Sequence, residues 1–397
     1  MLDLAKLAGQ LPPIGKHLQL EAKANRQRLE LAQGLLAAAA THQPRLTTAQ
    51  QQWRDRFLFA AASPLEPLEA RYDLSAPPEQ HTVFATDGSQ ISPSHHEIAY
   101  CYLLNIGRIA LHYGQGRHPL LDSLPEVFYK PEDLYISRQW GIRTEEWMGY
   151  RRTVSEAEVL ADLASQWVAS ERVTDLPILA MVDGSLIYWF LESLPGEARD
   201  RLLPPILTAW ERLRTAGVPL LGYLSASRSS EATNFLRLEA CPFDAPNCAA
   251  HCGDRSDRLP CQVIDPLRDT VLWASQLEPG QRGPLWSSSA KILDLYGEPL
   301  RIYFCYVHVG SEVARIEVPA WVAADPARLN EALSIMLGQV YKGYGYPVAL
   351  AEAHNQAVVR GGDRARFFSL LEQQMIRAGL RNVGTSYKET RKRGSIA

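Results

Sequence analysis

Two apolar runs in this chain end on the same tripeptide, TVFATDGSQISP at residues 82–93 and ILAMVDGSLIYW at residues 178–189. A bounded apolar run of four to six residues is too short for a helix and suits a buried strand. Each run therefore reads as a strand that delivers Asp-Gly-Ser to its end. In an open α/β sheet, ligands collect beyond the strand ends, and a glycine after the acid gives the backbone room to turn and a ligand room to approach. Turn chemistry alone accounts for one such tripeptide, since Asp, Gly and Ser each favour turns. Two in the same pattern point instead to adjacent strands holding Asp87 and Asp183 within reach of one metal site.

The surrounding pattern fits such a sheet. Strand-like segments (HTVFATDGSQ, then EIAYCYLLNIGRIALHYG with Gly107 at a turn or bulge) precede a helix expected over about 155–173. A strand, LPILAMVDGSLI, a helix ending near Gly217 and another strand, VPLLGYLSAS, follow. Strands first as hairpins and then alternating with helices imply an α/β fold with a mixed sheet flanked by helices. Later come strands in RIYFCYVHVG and ARIEVPAWV, helices near 327–340 and 347–360, and a closing amphipathic helix, DRARFFSLLEQQMIRAG. Ahead of the sheet, residues 17–40 and TTAQQQWRDRFLFAAA have helical composition, the second run opened by a threonine cap. The Pro-rich SAPPEQ at 75–80 ends this N-terminal helical arm, giving an expected division into 1–78 and 79–397.

Composition excludes some classes. Apolar residues make up 46% of the chain, and no run approaches the roughly 20 uncharged apolar residues of a membrane span. The start, MLDLAKLAGQLPPIGKHLQL, lacks the apolar core of a signal peptide, so the expected location is cytoplasmic, with no membrane partner. A net charge of −3 rules out a polycation that coats nucleic acid along its whole length. A basic end remains: Arg377, Arg381, Lys388, Arg391, Lys392 and Arg393 face only Glu389, as a solvated tail or a phosphate-contacting arm.

Two carboxylates at a metal site call for further ligands. On the helix between the motifs, Leu160, Leu163, Ala164 and Trp167 share a face, and Glu156 lies four residues before Leu160, so it points toward the sheet. Glu158 aligns with Asp162 and Ser165 on the opposite side. In GYGYPVALAEAHNQAVV, His354 shares a helix face with Leu350 and Val358, and Tyr346 precedes the helix start. A lone histidine on an apolar face is usually a core residue. Three oxygen ligands and an imidazole would nevertheless suit Mn²⁺ or Mg²⁺.

DGSQ, RTVSEAEVLADLA, VDGSL and YPVALAEAH, in that order and followed by a basic end, resemble the NurA family of nucleases over about residues 80–390. The resemblance implies a ribonuclease-H-like sheet and a Mn²⁺-preferring nuclease that cuts single-stranded DNA and degrades duplex ends 5′ to 3′. It also implies a homodimer working with a HerA-type hexameric ATPase in DNA end resection. Carried over by motif, Asp87, Glu156, Asp183 and His354 would be metal ligands, with Glu158 able to match the glutamate motif as well, and Tyr346 would sit beside the scissile phosphate. The expected mechanism is two-metal hydrolysis.

A Cys-rich insertion at 238–262 stands apart from that pattern. Cys241, Cys248, Cys252 and Cys261 are spaced C-x6-C-x3-C-x8-C, with His251 as a spare ligand. In a cytoplasmic protein such clustered thiols read as ligands for Zn²⁺ or an iron–sulfur cluster, or as free or redox-active thiols. Cys101 and Cys305 lie inside apolar strands and read as core. Outside the enzyme class, the same pattern would suit a silent nuclease-like scaffold that binds DNA or an ATPase. A serine hydrolase is disfavoured, because neither serine lies in a G-x-S-x-G elbow.

Overall fold

The first Asp-Gly-Ser run forms β1 (His81–Ile91), buried without a break from His81 to Thr86. Such burial requires cover on both faces of a sheet, and helices supply it. The computed structural model describes residues 3–94, 97–170, 176–253 and 259–380. β1 is antiparallel to β2 (Tyr102–Tyr113), and β2 is antiparallel to β3 (Leu120–Phe128). On its other edge β1 runs parallel to β4 (Ile178–Asp183), so the order β4–β1–β2–β3 is a mixed sheet.

Helix α1 (Thr144–Ser170) connects β3 to β4, and α2 (Gly196–Thr215) follows and packs on α1. Further along the chain come α3 (Pro326–Lys342), α4 (Val348–Ala357) and α5 (Gly361–Arg377). All of these lie in one compact unit, Ser75–Gly222 with Glu298–Leu300 and Trp321–Ala397.

Strand alternation assigns each helix its face. The Thr86 hydroxyl donates to the Glu156 carbonyl of α1 at 3.0 Å, and a Cβ on Gly88 would lie 2.4 Å from the Glu156 carboxylate. Asp87 and Ser89 point the other way, onto α4. Thus α1 and α4 cover opposite faces of β1.

Three local expectations change. The first Asp-Gly-Ser is not at a strand end: β1 continues to Ile91 because antiparallel β2 pairs with it as far as Ile91↔Leu103. Only β4 stops on its aspartate, and the turn there is made by Gly184 at φ +114°. Gly107 is neither turn nor bulge. It pairs in regular register with Asp87, and its missing side chain admits α4, since a Cβ would lie 2.4 Å from the Ala353 oxygen. Helix α1 begins at Thr144 rather than near 155, because Trp147, Met148 and Val154 extend its buried face N-terminally. The last expected residues of that helix, 171–173, lie outside the described residues.

The other compact unit comprises Met1–Leu74, Tyr223–Gly297 and Arg301–Ala320. Its helices Leu11–Thr41 and Gln43–Trp53 bury Ala32, Leu36, Ala39 and Leu46 against Phe235, Trp273, Trp286 and Tyr306. The second helix stops at Trp53, short of the apolar run expected to continue it. Beyond a single turn at Arg54–Arg56, the chain bonds elsewhere, and the Ala62 N–H donates to the Glu231 carbonyl at 3.0 Å. Strands Ile302–His308 and Val313–Pro319 pair antiparallel. Cys305 is buried within the first of them, while Cys101 is buried just before β2. Inside this core Arg315 meets Glu231 at 2.9 Å and Glu317 at 2.8 Å, and Asp269 accepts from the Thr233 N–H and the Tyr306 hydroxyl. Among the described residues no helix is long and apolar enough to cross a membrane.

Candidate metal centre

The parallel ladder between β1 and β4 ends at Thr86↔Val182. Asp87 and Asp183 are therefore the next residues on adjacent strands, which is how register alone brings the two acids together. Asp183 is exposed at the end of β4, whereas the Asp87 side chain is 23% exposed. One Asp87 oxygen accepts from the Gly88 N–H at 2.8 Å, and the other lies 2.7 Å from His354 Nδ1. In the neutral tautomer that donates Nδ1–H to this carboxylate, Nε2 is the acceptor nitrogen, on a side chain that is 64% exposed.

His354 is held there by the end of its helix. The Ser89 hydroxyl and the Asn105 amide, the latter at 2.8 Å, both donate to the Ala357 carbonyl, and the Val359 N–H donates back to the serine oxygen at 3.2 Å. These bonds satisfy a carbonyl that the helix end leaves open. The serine of the first motif is thus a helix anchor. Its counterpart, Ser185, accepts from the Ile187 N–H at 3.0 Å and shapes the turn after β4.

Tyr346 reaches Asp183 from the α3–α4 connection and donates its hydroxyl to the carboxylate. The connection is tight: a Cβ on Gly343 would sit 1.9 Å from the Tyr346 backbone carbonyl oxygen. The Gln339 side chain then accepts from the Ala349 N–H at 3.2 Å and fixes the start of α4.

Glu156 enters from the α1 face beneath Gly88. Burial, and after it the charges of Asp87 and Asp183, push its carboxyl up to about 7 from the usual 4.5, against the opposing pull of Arg152. Arg152 Nε lies 3.2 Å from the Glu156 carboxylate. The Asp183 carboxyl is raised as well, first by desolvation and then by Asp87, while the Tyr346 hydroxyl and His354 oppose the shift. Glu158, the other match to the motif, is exposed and lines a separate groove with Arg151, Asp200 and Arg201. Sequence reasoning passed over Arg152, although its four-residue spacing before Glu156 was a legible signal.

The structure therefore gathers Asp87, Glu156, Asp183, Tyr346 and His354 at one end of the β1–β4 pair. As they stand, the acids are engaged by Arg152, His354 and Tyr346, and among the described residues no three His, Cys, Asp or Glu side chains are arranged to hold a metal ion. The donor chemistry still suits an oxygen-preferring divalent cation, with Asp87 close enough to raise both the Glu156 and the Asp183 carboxyls and an imidazole alongside.

In the other unit all six cysteines of the chain but Cys101 are found, each as a free thiol. The Cys241 and Cys248 thiols are raised, first by burial and also by the charges of Cys252 and Cys261, and they accept backbone hydrogen bonds at Phe243 and Leu58. Arg237 donates to the Cys261 sulfur at 3.4 Å. The His251 ring stacks on Phe243 at 4.3 Å. Of the basic end, Arg377 closes α5, and Arg381, Lys388, Arg391, Lys392 and Arg393 lie outside the described residues.

Comparison with curated protein sequences found no match. Among solved structures, the crystal structure of the NurA nuclease from Sulfolobus solfataricus is similar in fold, with a TM-score of 0.53 and 12% identity. The match covers 95% of this chain and 98% of that one, so the mixed sheet flanked by helices is shared with that nuclease. The model of the NurA domain matches residues 81–359, which include every residue of the cluster and more than half of the sequence. The chain belongs to the NurA family of nucleases.

Proposed function

We propose that this protein is a Mn²⁺- or Mg²⁺-dependent deoxyribonuclease working by two-metal hydrolysis, in which Asp87, Glu156, Asp183 and His354 would hold the cations and Tyr346 would orient the cleaved phosphodiester. The observation that carries the reading is the β1–β4 register. It sets two aspartates side by side at the end of a parallel pair, with Glu156 and His354 arriving from helices on opposite faces. A bound divalent cation supplies Lewis acidity, lowering the pKa of water and neutralising charge on the phosphate.

The chain's own groups do the rest. Asp87 and Asp183 provide oxygen donors fixed by the sheet. Asp87 also orients His354 by accepting from Nδ1–H, which leaves Nε2 for a ligand on the side of the ring away from Asp87. Arg152 lies against the Glu156 carboxylate as the cluster stands, and that carboxylate would be a ligand for the cation. The Tyr346 hydroxyl has one proton, given to Asp183 as the cluster stands; turned from Asp183, it would donate to a phosphate oxygen.

Family membership supports DNA as the substrate class. It supports, as finer parts of the same reading, single-strand cutting, 5′ to 3′ degradation of duplex ends, dimerisation and work with a HerA-type ATPase in DNA end resection. For Cys241, Cys248, Cys252 and Cys261 we read Zn²⁺ or an iron–sulfur cluster, supported by thiols within electrostatic reach of one another and by N–H donors at the sulfurs. Metal analysis of the protein as purified tests this part, and a chain free of zinc and iron would remove it.

The test of the main reading is cleavage of labelled single-stranded and duplex DNA with Mn²⁺, Mg²⁺ or EDTA. Cutting should require the cation and vanish in Asp87→Asn and in Asp183→Asn while DNA binding survives. Undiminished cutting by either variant would sink the assignment, and silence of the folded wild type in every metal would favour the scaffold.

A further inference from the structure

Helix α3 ends in a motif whose chemistry calls for glycine, and a tyrosine stands there. The Gly345 N–H donates to the Val340 carbonyl at 3.0 Å and the Tyr344 N–H to the Tyr341 carbonyl at 3.4 Å, the paired bonds of a Schellman cap. In that cap the residue after the C-cap takes a left-handed conformation, which glycine adopts without strain and other residues do not. Here it is Tyr344, at φ +55°, although glycines lie on both sides of it at 343 and 345. The ring gains nothing from the fold in return, because Tyr344 is 100% exposed. A backbone strained to hold a solvent-facing aromatic is a device for something outside the chain.

What it faces follows from the connection it sits in. Two residues later Tyr346 donates its hydroxyl to Asp183, so Tyr344 lies on the same short connection as a residue of the candidate centre. One turn earlier Tyr341 is also exposed, on the same helix end. Resting on the nuclease reading above, we propose that Tyr344 is a stacking residue for an unpaired nucleobase beside the cleaved phosphodiester, which makes the site select single-stranded DNA. A bare ring offers a π-face to any base, so such a contact binds without sequence preference. Phosphate contacts alone would not require an aromatic at this position.

The experiment measures binding of a fluorescein-labelled single-stranded oligonucleotide in EDTA by anisotropy, and urea denaturation in parallel, for the full chain and for Tyr344→Gly and Tyr344→Phe. Tyr344→Gly should weaken binding about 5- to 150-fold, the range of one lost base–aromatic stack, and should raise the denaturation midpoint by relieving the strained cap. Tyr344→Phe should keep wild-type binding. Opposite signs for binding and stability are not what a structural residue gives. The proposal is overturned if Tyr344→Gly binds as wild type does, if Tyr344→Phe loses as much as the glycine variant, or if Tyr344→Gly alters the oligomeric state instead. A wild type that binds and cuts DNA isolates such a failure to Tyr344, whereas a wild type that does neither overturns the nuclease reading with it.

Discussion

Gly88 and Gly107 sit on neighbouring strands and face opposite helices, so substituting each separates two kinds of damage. An alanine Cβ at Gly88 would lie 2.4 Å from Glu156 Oε1 and 2.6 and 2.8 Å from Arg152 Cγ and Cδ. Ordinary contact begins near 3.4 Å, so the Glu156 carboxylate must move by about 1 Å. Its stem is flexible, and the backbone at Gly88 is outside the left-handed region, so alanine also gains about 0.5 to 1 kcal/mol from the unfolded chain. The steric cost, at the low end of about 1 to 3 kcal/mol for overpacking, is thereby largely offset. A displacement of about 1 Å in a group that positions the reaction costs about a hundredfold in rate. Gly88→Ala should therefore keep its urea midpoint close to wild type and lose about two orders of magnitude in Mn²⁺-dependent cleavage. At Gly107 the obstacles are backbone: the Ala353 oxygen at 2.4 Å, the Ala357 nitrogen at 2.5 Å and the Gln356 carbon at 2.9 Å. The whole of α4 would have to shift, so Gly107→Ala should cost about 3 kcal/mol or more. A Gly88→Ala protein that cuts at the wild-type rate, or one as destabilised as Gly107→Ala, would refute the reasoning.

Two further outcomes follow from the charged groups. Because the folded state raises Glu156 from 4.5 to about 7, its contribution to stability is present below the unfolded value and is lost as pH rises through about 7. A cation on the ionised carboxylate should restore it, so Mn²⁺ should raise Tm more at about pH 8 than at about pH 6. Glu156→Gln should shrink that difference, and an equal Mn²⁺ effect at both pH values in the wild type would contradict it. In the other unit, Arg315→Met would strand Glu231 and Glu317, which its guanidinium meets at 2.9 and 2.8 Å in a buried setting. Denaturation should show a loss of about 3 to 5 kcal/mol, partly recovered by adding Glu231→Gln; a neutral Arg315→Met would remove the pair from the core's account.

Much of this arrangement was legible because periodicity is local. The buried face of Leu160, Leu163 and Ala164 set the direction of Glu156, and the structure places that side chain beside Asp87 and Asp183 with Glu158 in solvent. Repetition of Asp-Gly-Ser after an apolar run anticipated neighbouring strands, which the β1–β4 ladder bears out. What a local reading could not reach depended on partners distant in sequence. The continuation of β1 past Asp87 needs β2, the need for glycine at 107 lies in α4, and the extension of α1 to Thr144 comes from what Trp147 and Met148 pack against. Ser89 looked like turn chemistry because its acceptor, the Ala357 carbonyl, lies far along the chain.

The central claim is that these side chains form one cation site, and it is tested most directly by Mn²⁺ binding to the purified protein without DNA, followed by electron paramagnetic resonance. The wild type should take up Mn²⁺ with saturation, and Asp87→Asn and Asp183→Asn, checked for folding by circular dichroism, should each lose that binding. Saturable binding retained in both variants would place the cation elsewhere and contradict the account.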